Sequence, residues 1–209
     1  MNEDPLVVAA REVGVTDARV LDAVAAVPRV EFVPPGLAGS ADVDRPLPIP
    51  HGQVTTQPSL VARMVEALAL SGSERVLEIG TGYGWQSALL GRVAAEVWSV
   101  ERFEDLAATA RLHLARFGAD NVTVVVGDGS EGLAVHAPYD AILVSAAFPA
   151  VPPPLRKQLA EGGRLVQPIG YGGNEDVVLF AKTKGPLVRV RSVIGAHFVP
   201  LVGRHGFTR

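Results

Sequence analysis

Apolar and polar positions along the chain follow two periods, one typical of helices and one of buried strands. From residue 59 onward, short apolar runs alternate with segments that repeat apolar residues every three or four positions. The runs are RVLEI, EVWSVE, VTVVV, YDAILVSAA and RLVQPIG, and the helical segments are SLVARMVEALAL, WQSALLGRVAA, FEDLAATARLHLARFG and PPPLRKQLAEGG. Strands that alternate with helices predict an α/β fold with a doubly wound, mostly parallel, Rossmann-like sheet.

The end of the chain departs from this alternation. The segments DVVLFAKT and LVRVRSVIGA follow one another with no helix between them. This predicts an antiparallel C-terminal hairpin at the edge of the sheet. We expect a single domain over residues 1–209, with an N-terminal cap and substrate loop in 1–58 and a cofactor-binding α/β core in 59–209.

The N-terminal cap has its own pattern. Residues 5–27 predict two short helices, the second capped by Thr16 and stopped by Pro28. Residues 34–58 are rich in Pro and Gly and predict a long ordered loop, which in a compact domain is often functional. We expect this cap to lie over the carboxyl ends of the strands, where such sheets bind ligands.

Composition and charge narrow the function. The 209 residues carry 19 basic and 22 acidic side chains without a basic block, so a nucleic-acid partner is not predicted. There is no cysteine, which excludes disulfides and thiolate metal sites. The N-terminus MNEDPLVVAAREVG has acids where a signal peptide has basic residues, and no apolar run approaches the roughly 18 residues of a membrane helix. We expect a cytoplasmic protein, monomeric and without a metal.

The segment VLEIGTGYGWQSA carries the first candidate site. Its loop follows a predicted strand and opens a predicted helix, and Gly80, Thr81 and Gly82 form its turn. Glycine lets the backbone turn tightly and approach a ligand. Glu101 closes the next predicted strand, 21 residues after Gly80, where a carboxylate can accept hydrogen bonds from both hydroxyls of a ribose. The loop therefore predicts a nucleotide-like ligand.

The acid at Glu78 distinguishes two ligand classes. A dinucleotide loop usually has G-x-G-x-x-G spacing, whereas this loop reads G-x-G-x-G. A carboxylate next to a pyrophosphate is electrostatically unfavourable, but near the ammonium of a methionine moiety, directly or through water, it is favourable. The loop thus favours S-adenosylmethionine. The alternative is that Glu78 only holds loop amides and the glycines only pack helix against strand.

A second acidic segment, GDGS, follows the third predicted strand of the core. Asp128 can accept a hydrogen bond from an adenine amino group, and Gly129 allows the backbone to approach the ring. An ordinary D-G turn explains the same residues. We carry both residues as candidate cofactor-binding positions.

Longer stretches resemble a known family over nearly the whole chain. They are RVEFVP, DRPLPIPHGQ, QPSLVARM, VLEIGTGYGWQSALL, VWSVER, VGDGS, APYDAILVSAAFPAVPPPL, QLAEGGRLVQPIG and FVPLV. In these the chain resembles protein-L-isoaspartate O-methyltransferases. The resemblance implies a class I methyltransferase fold with a modified sheet order and S-adenosylmethionine as donor, leaving S-adenosylhomocysteine. It implies the free carboxylate of L-isoaspartyl residues in damaged proteins or peptides as acceptor.

The loop GQVTTQP departs from the family's usual GQTISQP. The resemblance implies that Thr56, which keeps a hydroxyl where the family has serine, is the catalytic-site residue, and that Val54 and Thr55 face the substrate. The extra methyl of Thr56 stiffens its χ1 and takes space beside the transferred group. Alternatively, Thr56 lies just before Pro58 and caps a helix over 58–70.

Three bulky residues also depart from the family pattern. Tyr83 either lines the methionine pocket or faces outward, Trp85 is expected in the core or against the capping loop, and Phe148 is expected to narrow the acceptor cleft. These changes leave open a relative that methylates an aspartate of a dedicated peptide. A non-catalytic S-adenosylmethionine-binding protein is a further alternative, and a dinucleotide oxidoreductase is disfavoured by Glu78 and the glycine spacing.

Overall fold

The computed structural model describes residues 3–208. Within them the helices are α1 Pro5–Glu12, α2 Ala18–Ala26, α3 Pro58–Ala67, α4 Trp85–Val93, α5 Glu104–Phe117 and α6 Pro153–Gln158. The strands are β1 Leu47–Ile49, β2 Gln53–Thr55, β3 Arg75–Ile79, β4 Glu96–Glu101, β5 Val122–Val126, β6 Tyr139–Val144, β7 Leu159–Ile169, β8 Glu175–Lys182 and β9 Leu187–Ala196. Short 3-10 helices lie at Arg29–Phe32, Pro35–Ser40, Gly129–Glu131 and Ala134–His136.

Seven strands form one sheet in the order β5-β4-β3-β6-β7-β8-β9. The pairs from β5 through β7 are parallel, while β8 pairs antiparallel with both β7 and β9. The predicted parallel sheet with an antiparallel C-terminal hairpin is therefore confirmed. The strand order reverses between β3 and β6, and the crevice beyond their carboxyl ends is where such sheets bind ligands.

Apolar side chains cover both faces of the sheet. One core joins the sheet to α1 through α5, and Val76 of β3 and Val97 of β4 point into it. The other core joins the sheet to α6 and the C-terminal segment, and the alternate residue Leu77 points there. Successive side chains of a strand face opposite sides, so a strand buried on both faces is apolar throughout. This explains why the core strands read as continuous apolar runs.

The N-terminal helices form as the sequence predicts, but the cap of α2 is different. Asp17, not Thr16, is its N-cap, and the Asp17 carboxylate accepts from the Arg19 amide at 2.9 Å. The Thr16 amide donates instead to Glu66 of α3 at 2.6 Å. Thr16 thus ties α2 to α3 because a long-range carboxylate lies within its reach.

The predicted helix over PPPLRKQLAEGG is too long. Helix α6 ends at Gln158, and β7 begins at Leu159. The Leu159 side chain is buried in the second core, and its carbonyl accepts from Lys182 of β8 at 2.6 Å. Gly162 takes a φ of +79°, which disfavours a continued helix. Sheet pairing therefore overrides the helical pattern after Gln158.

The long loop is ordered by a small hairpin. Strands β1 and β2 pair antiparallel, with Leu47 opposite Thr55 and Ile49 opposite Gln53. The hairpin turn carries His51, whose Nε2 lies 2.9 Å from the Asp105 carboxylate at the start of α5 and whose ring stacks on Phe103. The hairpin is thereby fixed over the loop that follows β4.

Candidate active site

The glycine loop between β3 and α4 forms the floor of a cleft at the switch point. Gly80 and Gly82 have φ values of +94° and +57°, a region that favours glycine. A Cβ on Gly80 would lie 3.4 Å from the Ser145 side chain, and one on Gly82 would lie 3.5 Å from Ile49 of the hairpin. The loop is therefore enclosed between the end of β6 and the hairpin.

Glu101 lies at the end of β4 and lines both of the adjoining cavities that together form the cleft. One carboxylate oxygen accepts from the Gly82 amide at 2.9 Å, and the other from the Arg102 and Phe103 amides at 2.9 and 3.1 Å. These backbone donors fix the carboxylate in place. Its remaining lone pairs can accept hydrogen bonds from a ligand in the cleft.

Glu78 lies behind the cleft rather than on its wall. Its side chain is fully buried; one oxygen accepts from Gln86 Nε2 at 2.7 Å, and the other from the hydroxyls of Ser99, at 2.6 Å, and Ser87. Burial raises the pKa of Glu78 to about 7, although these hydrogen bonds act to lower it. Gln86 lines the cleft in front of it, and a contact between Glu78 and a ligand ammonium, directly or through water, stays a prediction.

Gln86 takes the position that the sequence suggests for Glu78. It lines the cleft, and its amide nitrogen also donates to Ser145 Oγ at 2.8 Å. Its Oε1 is buried and meets no hydrogen-bond donor in the part of the chain that the structure describes. A buried acceptor without a donor is costly. A ligand that brings a hydrogen-bond donor to this end would satisfy that oxygen.

The other end of the cleft is formed around Gly129. A Cβ there would lie 2.3 Å from Ile79 Cγ2, so no larger residue fits without displacement. Ile79, Val100, Ala146 and Leu201 add apolar walls. This end can accept a flat apolar ring, as the sequence predicts for adenine, while the opposite end carries the polar Gln86.

Asp128 is engaged by the protein itself. Its carboxylate accepts from the amide and hydroxyl of Ser130 at 2.9 and 2.7 Å, and from the Arg204 amide at 2.7 Å. Partial burial acts to raise the pKa of Asp128, but these hydrogen bonds outweigh it and the pKa lies below its ordinary value. The D-G turn is therefore present, closed by the C-terminal segment. An adenine contact by Asp128 stays a prediction.

The β2–α3 loop separates the cleft from a second groove of about 410 Å³. Val54 and Thr56 line both cavities, as does Ser145. The groove continues along Ile194, Phe198 and Val199 and is mostly apolar. Two adjoining cavities that share a narrow wall suit a reaction between two bound molecules.

The alternative role of Thr56 as a helix cap is not what the structure shows. Helix α3 spans Pro58–Ala67 with Gln57 as N-cap. Its first turn is held by Asp44, whose oxygens accept from the Ser59 amide at 2.8 Å and the Ser59 hydroxyl at 2.7 Å. Thr56 is thus left on the cavity wall, where a catalytic role remains a prediction.

Arg29 holds the β2–α3 loop in place. It is 2% exposed, and its two terminal nitrogens donate to the carbonyls of Ala41, Val43, Arg45 and Thr56 and to the Thr55 hydroxyl, at 2.8 to 3.4 Å. Burial lowers the pKa of Arg29 to about 10, so it stays charged at neutral pH. The Thr55 hydroxyl therefore binds Arg29, and its expected role in facing the substrate is only a prediction.

The three bulky residues take different places. Tyr83 lines the cleft, with its ring edge against His113. Trp85 is 5% exposed and donates to the Val27 carbonyl at 3.0 Å, so its expected packing in the core is confirmed. Phe148 packs on Phe207 of the C-terminal segment, with ring centroids 5.0 Å apart. Phe148 is not among the residues that line the cleft or the groove, and its narrowing or reshaping of the acceptor cleft stays a prediction.

Sequence reasoning missed Gln86, Ser145 and Arg29. Gln86 follows the glycine loop in the first turn of α4, and a polar residue there was the available signal. Ser145 follows β6 directly, at the edge where parallel strands end. Arg29 gave no signal, since an arginine before a loop is usually exposed.

Residues 3–208 hold no group of three or more His, Asp or Glu side chains arranged to bind a metal ion. No helix there is both long enough and apolar enough to cross a membrane.

Comparison with known proteins agrees with this geometry. The family model of protein-L-isoaspartate(D-aspartate) O-methyltransferase (PCMT) matches residues 1–206. The chain is 49% identical to a protein-L-isoaspartate O-methyltransferase of Koribacter versatilis over 198 residues, which are 95% of this chain and 89% of the relative. It is 52% identical to one of Anaeromyxobacter dehalogenans over 190 residues, 90% and 91% of the two chains.

Solved structures show the same likeness. A protein-L-isoaspartate O-methyltransferase, 31% identical, superposes with a TM-score of 0.84 over 96% of this chain, which spans 66% of that longer chain. A putative Plasmodium falciparum enzyme in complex with S-adenosyl-L-homocysteine, 21% identical, has the same fold, with a TM-score of 0.79 over 97% and 99% of the two chains. This chain belongs to the protein-L-isoaspartate(D-aspartate) O-methyltransferase family.

Proposed function

We propose that this protein transfers a methyl group from S-adenosylmethionine to the free carboxylate of L-isoaspartyl residues in damaged proteins or peptides. One observation carries the proposal: the cleft over the glycine loop and the apolar groove meet at a shared wall that includes Thr56 and Ser145. A donor in the cleft and a carboxylate in the groove would face each other there.

The cleft residues fit the donor. Glu101, fixed by three backbone amides, is placed to accept from the two ribose hydroxyls. Gln86 Oε1 can accept from the methionine ammonium, with Glu78 behind it adding negative charge. Gly129 lines the apolar end of the cleft, where we place the adenine ring. When bound, S-adenosylmethionine supplies an electrophilic methyl group on a sulfonium.

Positioning and exclusion of water are the tasks left to the protein. A carboxylate with an ordinary pKa near 4 is ionised at pH 7, so no general base is needed. With both molecules bound, the hairpin over Gly82 and the loop at Thr56 would shield the meeting point from solvent and set the direction of approach. Fixed geometry of this kind contributes much of the barrier reduction in bimolecular reactions.

The proposed partners and location follow the same reasoning. We propose isoaspartyl peptides and proteins as the partners, no nucleic acid, a monomer, and a cytoplasmic location. We propose a cap and substrate loop over residues 1–58 and a cofactor-binding core over residues 59–209; Met1, Asn2 and Arg209 lie outside the described residues.

A paired peptide assay tests the function. One short peptide is made with L-isoaspartyl and with L-aspartyl at the same position, and methyl incorporation from S-adenosylmethionine is measured with each. Methylation of the isoaspartyl form alone is expected. Methylation of the aspartyl form alone, or of neither, would overturn the repair function and favour a dedicated peptide substrate. Calorimetry with S-adenosylhomocysteine and with NAD separates a non-catalytic binding protein from a dinucleotide enzyme.

A further inference from the structure

Ser145 lies where the cleft and the groove meet. Ser145 lines both ends of the cleft and also the groove beside it. Its amide donates to the Ile79 carbonyl at 2.9 Å, which fixes the backbone to the end of β3. A Cβ added to Gly80 would lie 3.4 Å from the Ser145 Cβ, so the glycine loop packs closely against this residue.

The hydrogen bond from Gln86 sets the direction of the Ser145 hydroxyl. Gln86 Nε2 donates both to Glu78 Oε1, at 2.7 Å, and to Ser145 Oγ, at 2.8 Å. Because a carboxylate accepts, Gln86 must present its NH2 group to this side, and Ser145 Oγ is then an acceptor toward Gln86. The serine hydrogen therefore points away from Gln86. No side chain or carbonyl of residues 3–208 takes it at hydrogen-bond distance.

We propose that Ser145 donates this hydrogen to the acceptor carboxylate, on the oxygen that does not attack, and so acts as a catalytic-site residue opposite Thr56. The inference rests on the proposed function. The acceptor loses its negative charge when it becomes an ester, so a cation beside it would stabilise the bound substrate more than the transition state. A neutral hydroxyl holds the carboxylate with a smaller such penalty.

Two variants of the full chain test this role. Ser145→Ala removes the hydroxyl, and Ser145→Thr keeps it. Initial rates are measured against isoaspartyl peptide at saturating S-adenosylmethionine, and S-adenosylhomocysteine affinity is measured by calorimetry. We expect Ser145→Ala to raise the peptide KM about 10-fold, with the Kd for S-adenosylhomocysteine within about twofold of the unmodified protein. Ser145→Thr should restore most of the loss.

The outcomes are separable from those of the proposed function. Methylation by the unmodified protein tests the function, and the ratio of peptide KM values tests Ser145. If only the aspartyl peptide is methylated, the proposed repair function is rejected. The ratio of KM values is then measured with the aspartyl peptide, because the Ser145 hydroxyl would meet a carboxylate in either case. A peptide KM for Ser145→Ala within twofold of the unmodified value overturns the inference. A loss of S-adenosylhomocysteine affinity in step with KM also overturns it.

Discussion

Replacing Glu78 by glutamine should remove a pH-dependent cost to folding. Glu78 is fully buried, and burial raises its pKa from 4.5 to about 7 in the folded protein. The folded protein thus binds this proton more tightly than the unfolded chain does. Its contribution to the free energy of unfolding is fully present below about pH 4.5 and is lost as pH rises through about 7.

The size of this cost follows from the shift. A difference of about 2.5 pKa units at 1.36 kcal/mol each corresponds to about 3 kcal/mol. A small part of this stabilisation by the Glu78 proton is already lost at pH 5. Glu78→Gln cannot ionise, so the stability of the variant relative to the unmodified protein should improve by about 2–3 kcal/mol between pH 5 and pH 8. A constant change in packing cancels in this comparison.

Urea unfolding followed by circular dichroism at several pH values measures the difference. Glu96→Gln is the matched control, since Glu96 is only partly buried and its hydrogen bond from Arg75 holds its pKa below the ordinary value. That group stays ionised between pH 5 and pH 8, so its variant should show no such change. Parallel stability curves for Glu78→Gln and the unmodified protein would refute the reasoning.

Three further substitutions address the site. Thr56→Val keeps the shape and removes the hydroxyl, so turnover should fall by about 1–3 kcal/mol of barrier while S-adenosylhomocysteine affinity holds; unchanged turnover would exclude the role. Gly129→Ala should weaken S-adenosylhomocysteine binding in calorimetry and lower the melting temperature. Gly127→Ala is the control, since an added Cβ there meets only an ordinary contact at 3.6 Å, and equal effects of the two substitutions would contradict the steric argument. Arg29→Met should lower the free energy of unfolding in urea by about 3 kcal/mol, because several carbonyls lose their donor. Thr55→Val should lower it by only about 1 kcal/mol, because one hydroxyl is lost. Similar losses for the two variants would show that the guanidinium does not hold the loop.

The sequence determined the architecture because its information there is local. The strands β3, β4 and β5 lie where the apolar runs predict them, and α5 ends at Phe117, just before the C-cap Gly118 with its left-handed φ of +78°. Each of these features depends on residues a few positions apart. The glycine loop and Glu101 could likewise be predicted from the sequence, since both lie at strand ends and parallel strands end at one edge of the sheet.

Only the tertiary structure decided which polar groups line the cleft. Glu78 and Gln86 are eight positions apart, and sequence reasoning favoured the acid, yet the strand turns the acid toward Ser87 and Ser99 and leaves the amide at the cleft. The direction of a strand side chain depends on register and on what packs against that face. The two serines that donate to Glu78 come from the next helix, α4, and the next strand, β4.

Contacts between distant segments were likewise fixed only by the fold. The Arg204 amide reaches Asp128 across 76 positions, and Gln86 reaches Ser145 across 59. Such pairs meet because strand order brings separate loops to one edge of the sheet, and no local period encodes that order. The sequence therefore determined where the site lies, while the packing of remote segments decided which atoms it presents.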